Sequence, residues 1–331
     1  MVLLTGLGAL LLVAPCTAAG GATAPLPAAE EAEALALLAV AAEAVQERSW
    51  SGTQYVSSWH GTAVSSAVLD VQHTPGSRTQ VRPSSTTAAV PGPAVDLPPT
   101  ADVQLLSLLA GHYLLAVGGR STCAGRSAAV VEARRGDGQV AGRFWLDRAS
   151  GLPLRREVYD AAGRLLHSSA YVDLAVAPGP LRAPHAVPTA LPTGQQDTAP
   201  DAAGAPQELP GGFTRFEERA ATGAQLRQVA YSDGLSTLSV FRQPGGLGPE
   251  DREGYLPQRV GEGTVWVHDG APEQVVWTGA GEVFTVVSDA GPQATLLAIS
   301  ALPRDPEPDT GLRARLGRGL ARVGSWVNPF G

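Results

Sequence analysis

Gly142-Arg143-Phe144-Trp145-Leu146-Asp147-Arg148-Ala149-Ser150-Gly151-Leu152-Pro153-Leu154-Arg155 decides the fold. Two runs rich in apolar and aromatic residues, 140–147 and 154–160, flank the short joint Arg148-Ala149-Ser150-Gly151. A joint that short returns the chain alongside itself, because parallel neighbours need a crossover of a dozen or more residues. The pattern repeats in both directions. Upstream, 127–134 meets this hairpin across Arg135-Gly136-Asp137-Gly138; downstream, 164–174 follows Ala161-Ala162-Gly163. Residues 51–59, 64–73 and 112–117 are further strand candidates. Two helices accompany them. Residues 30–48 are acidic at the start, which suits the helix dipole, and carry Ala, Leu and Val at helical spacing. Residues 102–109 follow the capping Thr100 and stop near Gly111. Residues 50–174 thus predict a meander of one antiparallel sheet with two helices.

A second unit follows. Residues 175–207 are rich in Pro, Ala, Gly and Thr without apolar periodicity, which reads as a linker. From Phe213 the strand pattern returns. Ser232-Asp233-Gly234 joins 226–231 to 235–242, a strong hairpin signal, and 265–268, 274–278 and 283–288 add strand candidates before a helix at 293–302. The predicted class is α+β: an antiparallel sheet with helices over 30–174, the linker, a smaller antiparallel α/β unit over 208–302, and a tail over 303–331.

Composition narrows the chemistry. The 331 residues include 44% apolar side chains, enough for a sizeable core, and a net charge of −7 argues against a nucleic-acid binder. Every basic residue is Arg, so a P-loop lysine, a Schiff-base lysine and a Ser–Lys dyad are excluded. Residues 1–24 hold the apolar run Leu7 to Val13, then Pro15 and small residues, as in a secretory leader, although no positive charge precedes the run. Val13-Ala14-Pro15-Cys16 half-matches a lipoprotein box, with Pro ill-suited to that processing. Cleavage, lipidation and retention as an anchor all stay open, and each places the rest of the chain outside the cytoplasm.

No catalytic set stands out. The six histidines lack metal-ligand spacing, no G-x-S-x-G elbow is present, and no cofactor is implied. Asp147 and Glu157, on neighbouring strands, could form a carboxylate pair, but solvated strand-end charge is the plainer reading. The chain is therefore expected to bind rather than to catalyse. Aromatic residues concentrate on the first sheet. Tyr55, Trp59, Tyr113, Trp145 and Tyr171 are candidates for an apolar face that could hold a lipid or acyl chain, with ordinary core packing as the alternative.

These segments also resemble one family. Gly142 to Arg155, followed by Tyr159-Asp160-Ala161-Ala162-Gly163-Arg164, is similar to the W-L-D-x-x-T-G-L-P-L…D-x-x-G stretch of the RseB/MucB family. Ala124-Gly125-Arg126-Ser127-Ala128-Ala129-Val130-Val131 is similar to its preceding strand. Leu209-Pro210-Gly211-Gly212-Phe213 and Tyr231-Ser232-Asp233-Gly234-Leu235-Ser236-Thr237-Leu238-Ser239-Val240-Phe241 resemble its C-terminal motif. The resemblance implies a first domain shaped like the lipoprotein carriers LolA and LolB, an open half-barrel crossed by helices. It also implies an extracytoplasmic regulator, periplasmic or in the cell envelope. Such a regulator binds the outer segment of a membrane anti-sigma factor, modulates its proteolysis and responds to a lipid or lipoprotein signal. The alternative is a cell-envelope lipid or lipoprotein carrier without a regulatory partner.

The tail lies outside that pattern. Leu312, Leu316, Leu320, Val323 and Val327 share a helical face flanked by Arg313, Arg315, Arg318 and Arg322, with Trp326 at its edge. Contact with a membrane surface and docking on the protein's own sheet both fit this stripe.

Overall fold

The computed structural model describes residues 28–60, 63–76, 79–84, 103–177, 205–220, 226–268, 270 and 272–306. The leader over 1–24, residues 178–204 of the linker, and the tail from 307, with Arg313, Arg315, Arg318, Arg322 and Trp326, lie outside them.

The first unit opens with helix α1 (Ala28–Glu47), whose first turn carries Glu30 and Glu31. Strands β1 (Trp50–His60), β2 (Ala63–His73) and β3 (Gln80–Pro83) follow, then helix α2 (Val103–His112). Five more strands complete the sheet: β4 (Leu114–Cys123), β5 (Arg126–Arg134), β6 (Val140–Asp147), β7 (Pro153–Tyr159) and β8 (Leu165–Val176). The order across the sheet is β3-β2-β1-β8-β7-β6-β5-β4, every pair antiparallel. The expected single meander is therefore two. After β3 the chain crosses to the far edge and returns through β4 to β8, which docks beside β1. The strand expected to end at Val117 continues to Cys123, because a bulge between Val117 and Gly119 turns the edge instead of ending it. Gly119, at φ 96°, supplies the left-handed backbone there.

The second unit holds β9 (Glu208–Leu209), β10 (Phe213–Ala220), β11 (Arg227–Ser232), β12 (Thr237–Pro244), β13 (Leu256–Val260), β14 (Gly263–His268), β15 (Glu273–Gly279), β16 (Glu282–Ser288) and helix α3 (Pro292–Ile299). Its order is β13-β14-β15-β16-β12-β11-β10-β9. Both sheets have eight strands and free edges, so neither closes into a barrel. The outer strands β3 and β13 carry Pro83 and Pro257, which suits edges that must not recruit another chain.

Each unit has its own core. Phe144, Leu146, Val131 and Leu115 meet Ala34, Leu38 and Ala41 of α1 and Leu106 and Leu109 of α2. In the second unit Phe213, Tyr231, Trp277 and Phe284 pack with Val275, Val286 and Ile299, and the Trp277 and Phe284 rings stack 5.1 Å apart. Among the described residues no helix is long and apolar enough to cross a membrane.

Candidate functional site

Strand register decides which aromatic residues can act together. Directly opposed residues share a face. Val131, Phe144, Arg156, Ser169 and Val56 form one such row across five strands, and Phe144 packs against α1 and α2. Tyr171, two residues beyond Ser169, lies on this helix-covered face, and Tyr113 packs into the same core. Val130, Trp145, Arg155, Ala170 and Tyr55 form a row on the opposite face, and Trp59 shares it by alternation. The five residues expected to form one apolar wall are thus divided between two faces. Period two fixes parity within a strand, but the relative parity of strands depends on pairing and on bulges, such as the one between Thr53 and Gln54.

The two groups differ in character. Tyr55 is 37% exposed, whereas Trp145 is 2% exposed and packs with Cys123, Ala128, Val130 and Leu154 beneath the Arg155 guanidinium, 5.0 Å from its ring centroid. The expectation of solvated charge at Asp147 and Glu157 is corrected, since both are buried. Asp147 accepts from Arg126 Nη2 at 2.7 Å and from Ser150 N at 3.0 Å, clamping the turn after β6. Burial pushes its carboxyl up, but Arg126 and Ser150 outweigh that and leave it below the usual carboxylate range. Glu157 is held separately by Arg155 and the Tyr159 hydroxyl.

On the helix-covered face a small cavity lies between the end of α1 and the middle of the sheet. Val45, Trp50, Leu152, Leu154, Arg156 and Tyr171 line it, and its volume is about 20 Å³, room for one water. The Trp50 indole donates to the Val45 carbonyl at 3.3 Å, stacks on His73 at 5.6 Å and meets the Tyr171 ring edge-on at 5.9 Å. Burial raises the Tyr171 phenol well above its ordinary value.

The two units meet beside this cavity. The β11–β12 turn, Ser232 to Ser236, plugs a socket formed by α2, β6 and β7. Leu235 is 1% exposed and joins the first unit's core. Gly234, at φ 89°, lies so close to α2 that a Cβ would sit 2.3 Å from the Leu109 nitrogen; one on Gly142 would sit 2.6 Å from Leu235 Cδ2. Asp233 Oδ1 accepts from Leu235 N at 2.8 Å and Ser236 N at 2.6 Å, and its Oδ2 accepts from Tyr113 Oη at 2.6 Å. Arg156 donates to the Leu235 carbonyl, and Gln104 Nε2 to the Phe216 carbonyl at 3.3 Å. Desolvation lowers Arg156, while the carboxylates of Asp289 and Asp233 act against that shift. Desolvation raises Asp289 to about 6, opposed by Arg156 and by a hydrogen bond from the Thr237 amide. Desolvation, aided by Arg156, lowers His167 to about 3.

Sequence reasoning missed Trp50 and Arg156 as lining residues and missed the joint altogether. Its one visible signal was the rigid Ser232-Asp233-Gly234 turn, which reads as a local hairpin until the other unit is seen around it.

Two open antiparallel sheets joined by a plugged socket define an α+β protein of two units. Residues 79–197 match the MucB/RseB N-terminal domain family, the family that the sequence motifs resemble. In the solved Pseudomonas aeruginosa MucA/MucB complex, a matching chain is 25% identical, over 83% of this chain and 99% of that one, at a TM-score of 0.46. A crystal structure of MucB matches at 24% identity, over 82% and 97% of the two chains, at 0.43. A LolA superfamily protein from Nitrosomonas europaea matches at 12% identity, over 44% and 94%, at 0.20. No curated protein sequence matches at a significant level.

Proposed function

We propose that this chain is an extracytoplasmic regulator that binds the outer segment of a single-span membrane anti-sigma factor and modulates that protein's proteolysis. The observation that carries the reading is the family match over 79–197, which contains the motif residues Gly142 to Gly163. MucB has been solved in complex with MucA, and a membrane-tethered partner of that kind is what this reading assigns to the chain. The chain acts by binding rather than by catalysis. Three of its buried carboxylates, Asp147, Glu132 and Glu157, are each paired with arginine, which suits a structural role.

Titration calorimetry tests the reading. The probe is the extracytoplasmic segment of a single-span anti-sigma protein encoded beside a sigma factor in the same genome. Saturable binding and slower cleavage of the bound segment are expected. Absence of binding to any such segment overturns the reading. A reporter fused after Pro306 and active only in the cytoplasm would overturn the location.

A further inference from the structure

The face of the first sheet turned away from the helices carries a larger cleft, of about 280 Å³, over strands β1, β2, β3 and β8. That is close to the size of a small-ligand site. Strand register builds its floor in two rows. Asp173, Thr53, Asp70 and Arg82 stand opposite one another across the four strands, and Ala175, Ser51, Gln72 and Gln80 form the next row. The bulge between Thr53 and Gln54 decides the first row. Without it Val172 would stand opposite Thr53; the extra residue brings Asp173 there instead, with its Oδ1 accepting from Thr53 N at 3.4 Å. Bulges re-aim side chains in this way beside functional sites. Asp70 Oδ1 accepts from Thr53 Oγ1 at 3.2 Å, while Arg82, although opposite Asp70, donates to Gln80 Oε1 of its own strand at 3.2 Å. Among the described residues neither carboxylate is therefore paired with a cation. One row further along β1, Tyr55 is 37% exposed and its hydroxyl bonds to the Ser57 and Ser66 side chains. Those two serines stand opposite each other on the same face, so the Tyr55 ring is laid along the sheet with one side to solvent.

We propose that this face binds a neutral, extended oligosaccharide, laid along β1 with one sugar ring on Tyr55 and the next ones in the cleft. Sugar hydroxyls both donate and accept. One ligand class thus serves the carboxylates of Asp70 and Asp173, which only accept, the Arg82 guanidinium, which only donates, and the amides of Gln72 and Gln80, which do both. A phosphorylated or carboxylated ligand would meet two carboxylates against one arginine, and an apolar ligand would leave all these groups unpaired. The negative face of the Tyr55 ring complements the C–H side of a pyranose. A β-1,4-linked chain is an extended ribbon with hydroxyls along both edges, which suits the strip from Ser51 to Ser57, roughly 20 Å long at the rise of a strand. An α-1,4-linked chain curls away from such a strip. The inference goes beyond the regulatory reading and needs no protein partner.

The test titrates the whole chain with cellotriose, and with maltotriose as its α-linked counterpart, followed by nuclear magnetic resonance. Cellotriose should bind saturably and shift the amide signals of Thr53, Tyr55 and Asp70. Maltotriose should bind about tenfold more weakly. Tyr55→Ala removes the stacking ring and Asp70→Ala a charged acceptor, and each should weaken cellotriose binding about tenfold. Thermal unfolding checks that both variants are folded, and the amide shifts of the unaltered chain do not depend on either variant. If cellotriose moves none of these amides, binds both variants as tightly as the unaltered chain, or binds no better than maltotriose, the proposal is wrong. Calcium binding at Asp70 and Asp173 with no response to cellotriose would assign the cleft to a cation and equally overturn it. None of these measurements involves the anti-sigma segment, so they succeed or fail independently of the calorimetry above.

Discussion

The two units fill their interiors differently. The second packs Phe213, Tyr231, Trp277 and Phe284 into one cluster, with the Trp277 indole donating to the Pro303 carbonyl at 2.8 Å. The first covers its sheet with α1, whose buried face is Ala34, Ala39, Ala41, Ala42 and Ala44 with Leu38 and Val45. Large rings bury more area per residue and interlock, whereas alanines permit close approach and contribute little area. The second unit is therefore a rigid support, and the first carries, with Val45 at the wall of its cavity, a helix that little apolar area holds down.

The sharpest way to break this contrast is Trp277→Ala. Removing a fully buried indole should destabilise the second unit by roughly 3–5 kcal/mol. Urea unfolding followed by far-ultraviolet circular dichroism should show that unit melting early while the first stays folded. A single unchanged transition would mean the two cores do not differ as described.

Tyr113→Phe probes the joint between them. It removes a hydrogen bond to a buried carboxylate, a contact worth roughly 1.5–3 kcal/mol. Exchange at Leu235 and Ser236 should rise with little effect on the second unit's core, and equal acceleration everywhere would show that the joint is not a separate cooperative element. Ala41→Gly should loosen α1 by about 1 kcal/mol, read as faster hydrogen exchange within α1 than in the second unit's core. Unchanged exchange in α1 would show that its alanine face is not the weaker packing.

The smallest effect is a pH slope. Asp289, raised to about 6, stays protonated in the folded chain where the unfolded chain has already lost the proton. Its contribution is present at low pH and is lost as pH rises from about 4 to 6. His167, depressed to about 3, works the other way, with stability present above its unfolded value of 6.5 and lost as pH falls towards 3. The two nearly cancel between pH 4 and 6. Asp289→Asn should make stability climb with pH in that window, and His167→Gln should make it decline. Parallel profiles for both variants would contradict the opposed shifts.

Several elements were legible in the chain itself. The β6–β7 hairpin was placed within a residue because apolar alternation and a glycine-bearing turn agree there. β11 was placed within a residue and β12 within two. Strands β3 and β13 were not legible, since their residues are nearly all exposed and include proline, which leaves no alternation to read. The site was less legible than the fold, because the expected aromatic set mixed two faces and Arg156 looked like one strand arginine among many.

The sequence by itself determined the antiparallel character of both sheets, the positions of the main turns and the family resemblance. All of these rest on local period, short joints and contiguous motifs. Only the tertiary structure decided that β8 docks on β1, that Trp50 and Tyr171 face the helices while Tyr55 and Trp145 face away, and that Ser232 to Ser236 fills a socket in the other unit. Those outcomes depend on pairing partners and bulges, and on the close approach of Gly234 to α2 more than a hundred residues earlier in the chain, none of which leaves a periodic trace in sequence.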